Sequence, residues 1–233
     1  MLERLINTET YESTDVIVDA SGWCELDESS FRYVRRFLKH GQRDGALFLK
    51  ALQHHPEVIL PGTTTADLGI GAYCHDIAKP WINNADKTLW DKKGLTREDV
   101  ELIHTHPEVS YQLLRNIKAR GVAVPDAALV IAHSHHERLD GTGYPKGLMG
   151  DQFPDYVKLF SVVDYIISMA EGPEVRPYRD NGMSITEISA YLTGEMKYKL
   201  NQEYVASVLG LIRNGEHLCV SELEDIDSLR ILE

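Results

Sequence analysis

The residues best able to do chemistry here are histidines in the company of carboxylates. Ten histidines are present, nine of them between His40 and His136. His75-Asp76 closes one apolar stretch, and His135-His136-Glu137 closes another. Asp164 lies between Val163 and Tyr165 within an otherwise apolar run. Charged groups in such places are costly to bury unless they are paired or bind a metal. Imidazole nitrogen together with carboxylate oxygen suits divalent iron, manganese or zinc. A carboxylate beside a histidine can bridge two cations while the imidazole holds one. Two cations roughly 3.5–4 Å apart polarise a phosphodiester and activate water at neutral pH.

The elements that must position these groups read as helices from Asp27 onward. Asp27 can cap a helix carrying Phe31, Val34, Phe37 and Leu38. Asp44 is expected to open a second, carrying Leu47, Leu49, Ala51 and Leu52 and stopped before Pro56. Thr64 or Thr65 opens a third, with Leu68, Ala72, Tyr73 and Ile77, ending near Pro80. A polar loop follows. Thr96 and Asp99 then resemble a capping box, and Pro107 suits the first turn of the next helix. Further helices are expected over Asp126–His136, Pro154–Ala170, Ser184–Tyr198 and Asn201–Arg213, with Ser184 and Glu187 as another capping box. Asp140–Gly150, with four glycines and a proline, is a loop. Asp15–Ala20 could be a short strand or an extended arm, and the tail from Glu216 is acidic.

Composition narrows the function classes. The chain has 233 residues, 43% of them hydrophobic, which suits one large globular domain. A net charge of −12 repels nucleic-acid backbones and disfavours duplex binding. A phosphate-bearing ligand then needs local positive charge from metal or from a few basic side chains. Cys24, Cys74 and Cys219 are far apart and form no CxxC pair, so no zinc ribbon or disulfide framework is indicated. No apolar run approaches 18 residues and no signal peptide is visible, so a cytoplasmic setting without a membrane span is expected.

The motifs match a known pattern. His75-Asp76-Ile77-Ala78-Lys79, His106-Pro107, His135 through Pro145 (HHERLDGTGYP) and Arg176-Pro177-Tyr178-Arg179 occur in the order found in the HD-GYP family. That family is a branch of the HD metal-dependent phosphohydrolases, and the resemblance covers roughly residues 36–215. It implies an all-α HD-domain helical bundle with a buried dinuclear metal site. By the same resemblance, residues 1–30 form an N-terminal segment, 31–215 the HD-GYP domain and 216–233 a tail. The metal ligands it implies are His75, Asp76, His106, His135, His136 and Asp164, with a further histidine on an earlier helix. His40, followed by Arg43, fits that role; His54 and His55 compete for it. Asp76 and Lys79 become the catalytic pair, and Arg176 and Arg179 phosphate contacts.

What the resemblance implies functionally is hydrolysis of cyclic di-GMP to linear pGpG, and on to GMP by a second cut. Two divalent cations per chain, iron or manganese, are the implied cofactors. Tyr144 is open to two roles, a structural turn in which Gly143 supplies unusual dihedrals, or contact with substrate or a protein partner. A homodimer is compatible with the pattern. Several positions depart from it: Ala78 stands for a common glycine, Leu139 for a tryptophan and Ile167 for an aspartate. Insertions precede His106 and Arg176. These departures keep a nucleotide-sensing or partner-binding module, and an HD phosphohydrolase acting on another nucleotide, as rival readings. Arg36, four residues before His40, opposes a third cation there.

Overall fold

A computed structural model describes residues 28–82, 89–173, 176 and 180–213. Asp27, the Asp15–Ala20 stretch, Cys24, Arg179, His217, Cys219 and the tail from Glu216 lie outside the described residues. Among the described residues there are eight α-helices and no strand, only an isolated antiparallel bridge between Asp140 and Met149. The helices are α1 (Glu28–His54), α2 (Thr65–Cys74), α3 (Arg97–Ile103), α4 (His106–Ala119), α5 (Asp126–Ser134), α6 (Asp155–Ala170), α7 (Ile185–Thr193) and α8 (Gln202–Arg213). None is long and apolar enough to cross a membrane.

The capping boxes expected at Thr96/Asp99 and Ser184/Glu187 are both formed, and Thr64 caps α2 in a third box with Asp67. In each, the N-cap hydroxyl accepts from the backbone amide three residues on, while the acidic side chain of that residue accepts from the N-cap amide. Three expectations need correction. The helix opened at Thr64 ends at Cys74, short of Ile77 and Pro80. Asp44 does not open a second helix: α1 runs unbroken for 27 residues, and Asp44 is buried in its interior. The helix from Ser184 stops at Thr193, because Gly194 follows, short of the Tyr198 expected.

The continuity of α1 depends on how tightly it meets α2. A Cβ at Gly41 would stand 2.3 Å from the Tyr73 carbonyl oxygen, so only glycine lets the two backbones approach this closely. The buried face of α1 (Leu47, Phe48, Ala51 and Leu52) packs on α6, with Phe48 edge-on to Phe160 at 5.1 Å. Leu38 and Leu49, expected on apolar faces, are instead 42% and 40% exposed. Helix α6 is apolar nearly all round and is buried along most of its length, as a central helix must be. The α7–α8 pair and Met196 close the far side of this core. Cys74 is a free thiol at the end of α2, and burial pushes it up to about 11.

Candidate metal centre

Helix ends carry most of the candidate ligands. His75 directly follows α2, His106 begins α4, and His135 directly follows α5. Each uses Nδ1 on its own preceding turn. The Nδ1–H of His75 donates to the Ala72 carbonyl at 2.7 Å, that of His106 to Ile103 at 2.7 Å, and that of His135 to Ala132 at 3.0 Å. This network assigns the tautomer and leaves the three Nε2 atoms bare. His40, in mid-α1, is held by another route: its Nδ1 donates to Glu171 Oε1 at 3.0 Å. Against burial, Asp44, Glu171 and Asp164 hold its imidazole well above the usual range, which favours a proton or a cation at Nε2. Phe160 of α6 lies edge-on beneath His75 at 5.0 Å and His135 at 6.3 Å, an apolar floor for the cluster.

Asp76 sits between two groups of donors. Its Oδ2 lies 3.3 Å from His75 Nε2 and 3.6 Å from His40 Nε2. Its Oδ1 lies 3.2 Å from His106 Nε2 and 3.7 Å from His135 Nε2. Asp164 Oδ1 stands 3.3 Å from His40 Nε2 and 4.0 Å from His75 Nε2. Among the described residues, three donor sets are compact enough to hold an ion: His106, His135 and His136; His40, Asp44, His75 and Asp164; and His75, Asp76 and His135. His40 is therefore brought into the cluster. His54 is exposed on α1, and His55 hydrogen-bonds Ser207 and Glu57 elsewhere.

These groups fit divalent cations on three counts. His40 Nε2, His75 Nε2, Asp76 Oδ1 and both oxygens of Asp44 are buried without a hydrogen-bond partner. Groups so buried are normally satisfied. His106 and His135 point bare Nε2 atoms at each other across 3.1 Å, an arrangement that a shared proton or cation must relieve. Burial, with Lys79 nearby, pushes His106 down to about 4; burial and neighbouring histidines hold His135 and His136 well below the usual range. All three are thus neutral and ready to coordinate. Burial opposes ionisation of Asp76, but His75, Lys79 and His106 outweigh it and hold its carboxyl well below the ordinary range.

The surroundings brace the donors. Lys79 Nζ contacts Asp76 Oδ2 and is itself buried. Arg43 Nη1 and Arg176 Nε both donate to Glu171, each at 3.2 Å. Burial works against the Glu171 carboxylate, yet His40, Arg176 and Arg43 bring it down to about 2. The sequence pattern gave no role to Glu171, nor to Asp44; their one visible signal was Asp44's spacing of four residues from His40 on one helix face. Arg36 turns away from the cluster, donating to the Trp90 carbonyl at 3.1 Å.

The Gly-Tyr-Pro loop backs His136. Tyr144 lies stacked between His104 at 4.1 Å and His136 at 4.7 Å, and its amide donates to the His136 carbonyl at 3.1 Å. Gly143 is required for closeness and not for unusual dihedrals: a Cβ there would stand 2.5 Å from the His136 carbonyl oxygen, and its φ is not positive. Glu137, 1% exposed, accepts from the amides of Lys146 and Leu148, each at 2.8 Å, and so latches the loop. His133 pairs with Glu108 at 2.8 Å and is not among the donor sets.

Comparison with known proteins identifies the family and the fold. The family model for the HD domain matches residues 60–195. The cyclic di-GMP phosphodiesterase response regulator RpfG of Xanthomonas campestris pv. campestris is 30% identical over 205 residues, covering 84% of this chain and 50% of that one. The 3′3′-cGAMP-specific phosphodiesterase 3 of Vibrio cholerae is 31% identical over 123 residues, covering 50% of this chain and 24% of that one. The chain thus spans half or less of the length of these relatives. Bd1817, a HDG"Y"P protein from Bdellovibrio bacteriovorus, shares the fold with a TM-score of 0.58 at 20% identity, over 76% of this chain and 52% of that one. With that family model covering more than half of the sequence and the motif histidines converging in space, the chain belongs to the HD domain family, and its HHE run ending in Gly143-Tyr144-Pro145 puts it in the HD-GYP branch.

Proposed function

We propose that this chain is a metal-dependent phosphodiesterase that hydrolyses a 3′–5′ bond of cyclic di-GMP, giving linear pGpG and, by a second cut, GMP. The observation that carries the reading is the division of Asp76, one oxygen toward His40 and His75 and the other toward His106 and His135. Two divalent cations, iron or manganese, would supply charge for the phosphoryl oxygens and an activated water. His40, His75 and Asp164 would hold one, and His106, His135 and His136 the other, with Asp76 shared.

The remaining work falls to side chains. Hydrolysis puts a hydroxyl on phosphorus and a proton on the departing ribose oxygen. Lys79 Nζ, against Asp76, is the donor best placed to supply that proton. Arg176, tied to Glu171 at the edge of the cluster, is assigned to a phosphate oxygen, as is Arg179. Tyr144, stacked on His136, is assigned to holding that imidazole in place. Of the residues that depart from the family pattern, Ile167 is buried in the main hydrophobic core and Leu139 packs against it, and neither belongs to a donor set. That supports an enzyme over a module that only senses a nucleotide.

The test is anaerobic loading with iron or manganese, followed by incubation with cyclic di-GMP and, separately, 3′3′-cGAMP. Linear pGpG should accumulate first from cyclic di-GMP. Faster cleavage of 3′3′-cGAMP would change the substrate but keep the chemistry. Fully loaded protein that binds either nucleotide without cleaving it would sink the enzymatic reading in favour of the sensing module.

A further inference from the structure

Among the described residues, Asp44 is the least explained charged group. It is 0% exposed, and neither carboxylate oxygen has a hydrogen-bond partner. It stands one helical turn beyond His40 on α1, so both side chains project from one face into the cluster. Its Oδ2 lies 3.1 Å from His40 Nε2 and 3.7 Å from His75 Nε2. A carboxylate buried without compensation is strongly destabilising. A proton on His40 does not resolve this. The Nδ1 of His40 is already committed to Glu171, and its Nε2 faces Asp44, Asp164 and Asp76 together. One proton can serve one of the three carboxylates, whereas a cation among them serves all.

We propose that Asp44 is a direct ligand of the inner cation, and that it makes the two metal positions chemically unequal. The inference rests on reading the cluster as a metal site. Its donor atoms, with those of His40, His75 and Asp164, all lie within 4.8 Å of one another. With Asp76 Oδ2, the inner position has two imidazoles and three carboxylates. The outer position has three imidazoles, His106, His135 and His136, and shares Asp76 through Oδ1. Carboxylate oxygen favours manganese-like cations, and imidazole-rich sets suit zinc or iron. The inner cation is therefore the tighter, oxygen-preferring one with few coordination positions left over. The outer cation is the more exchangeable and keeps positions open for water and phosphate.

The test compares the unaltered chain with Asp44→Asn, which removes charge at nearly constant shape. Wild type should take up two manganese ions per chain in two affinity phases. Asp44→Asn should lose the tight phase, with that affinity falling about tenfold or more, the scale seen even for groups behind the ligands. Thermal unfolding separates ligation from packing. The metal-free variant should be at least as stable as metal-free wild type, because an uncompensated charge is gone, while its gain on metal addition should be smaller. A packing role would lower both. On the unaltered chain, manganese should broaden the Asp44 carboxyl-carbon resonance as strongly as that of Asp164. Two phases of unchanged affinity in Asp44→Asn, or an unbroadened Asp44 resonance, would overturn the assignment. A wild-type chain that takes up no metal would overturn the underlying reading with it, whereas a metal-loaded chain without phosphodiesterase activity would leave the Asp44 assignment standing.

Discussion

At the scale of single residues, groups that would hold cations separate from groups that would aim them. Asp76 belongs to the first kind, because both of its oxygens face imidazoles. Asp76→Ala should abolish cleavage and bring metal content below one ion per chain, read by elemental analysis; wild-type turnover in this variant would mean the site is misassigned. Glu171 belongs to the second kind. It fixes the His40 ring through Nδ1 and is held in turn by Arg43 and Arg176. Glu171→Gln keeps the shape but weakens that brace, and metal affinity should fall about 10–100-fold, as for other partners of ligating histidines. Calorimetric titration with manganese checks it, and an unchanged affinity would leave Glu171 with a purely structural task. The motif histidines and Asp76 could be picked out from sequence because their neighbours follow a pattern. Asp44 and Glu171 could not. One resembled a helix cap, and the other lies in a stretch where insertion has shifted the register, so only the folded chain shows that both face His40.

At the scale of elements, the pattern of capping boxes and apolar faces gave the helices of the second half nearly as they are. It failed over α1, because Asp44 between Gly41 and Gly45 looks like punctuation. What keeps α1 whole is tertiary: its glycine face lies against α2, where local propensity has no say. Gly41→Ala tests this contact. A methyl placed 2.3 Å from the Tyr73 carbonyl must push α1 and α2 apart, and overpacking of this kind costs about 1–3 kcal/mol. The same movement would draw His40 away from His75, so metal affinity should drop along with the unfolding midpoint. Wild-type values of both would show that the helices tolerate separation. The Gly-Tyr-Pro loop makes a parallel case. Glu137→Ala would leave the Lys146 and Leu148 amides without their acceptor, at a cost of about 1–3 kcal/mol where water replaces it incompletely. Hydrogen exchange at those two amides should accelerate before any global loss of structure.

At the scale of the whole molecule, the donors come from α1, from the residues just past α2, from the start of α4, from the residues just past α5 and from the middle of α6. The cluster is thus where these helices meet, and its carboxylates and bare imidazole nitrogens crowd together with few internal partners. Cations bound there act as cross-links of the native state only, because the unfolded chain does not gather these residues. Each ion at a free concentration a hundred times its dissociation constant then adds about 2.7 kcal/mol to stability. Two such ions would add roughly twice that. A chain of this size shifts its midpoint by about 2–4 °C per kcal/mol. Stripping the metals with a chelator should therefore lower the unfolding temperature by on the order of 10–20 °C, and adding manganese back should restore it. The loss should be cooperative, seen alike by far-ultraviolet circular dichroism and by tryptophan fluorescence, because no single helix carries the site. Coincident unfolding curves for stripped and loaded protein would mean that the bundle is organised by its apolar core alone. The buried donors would then need protons, not metals, to satisfy them.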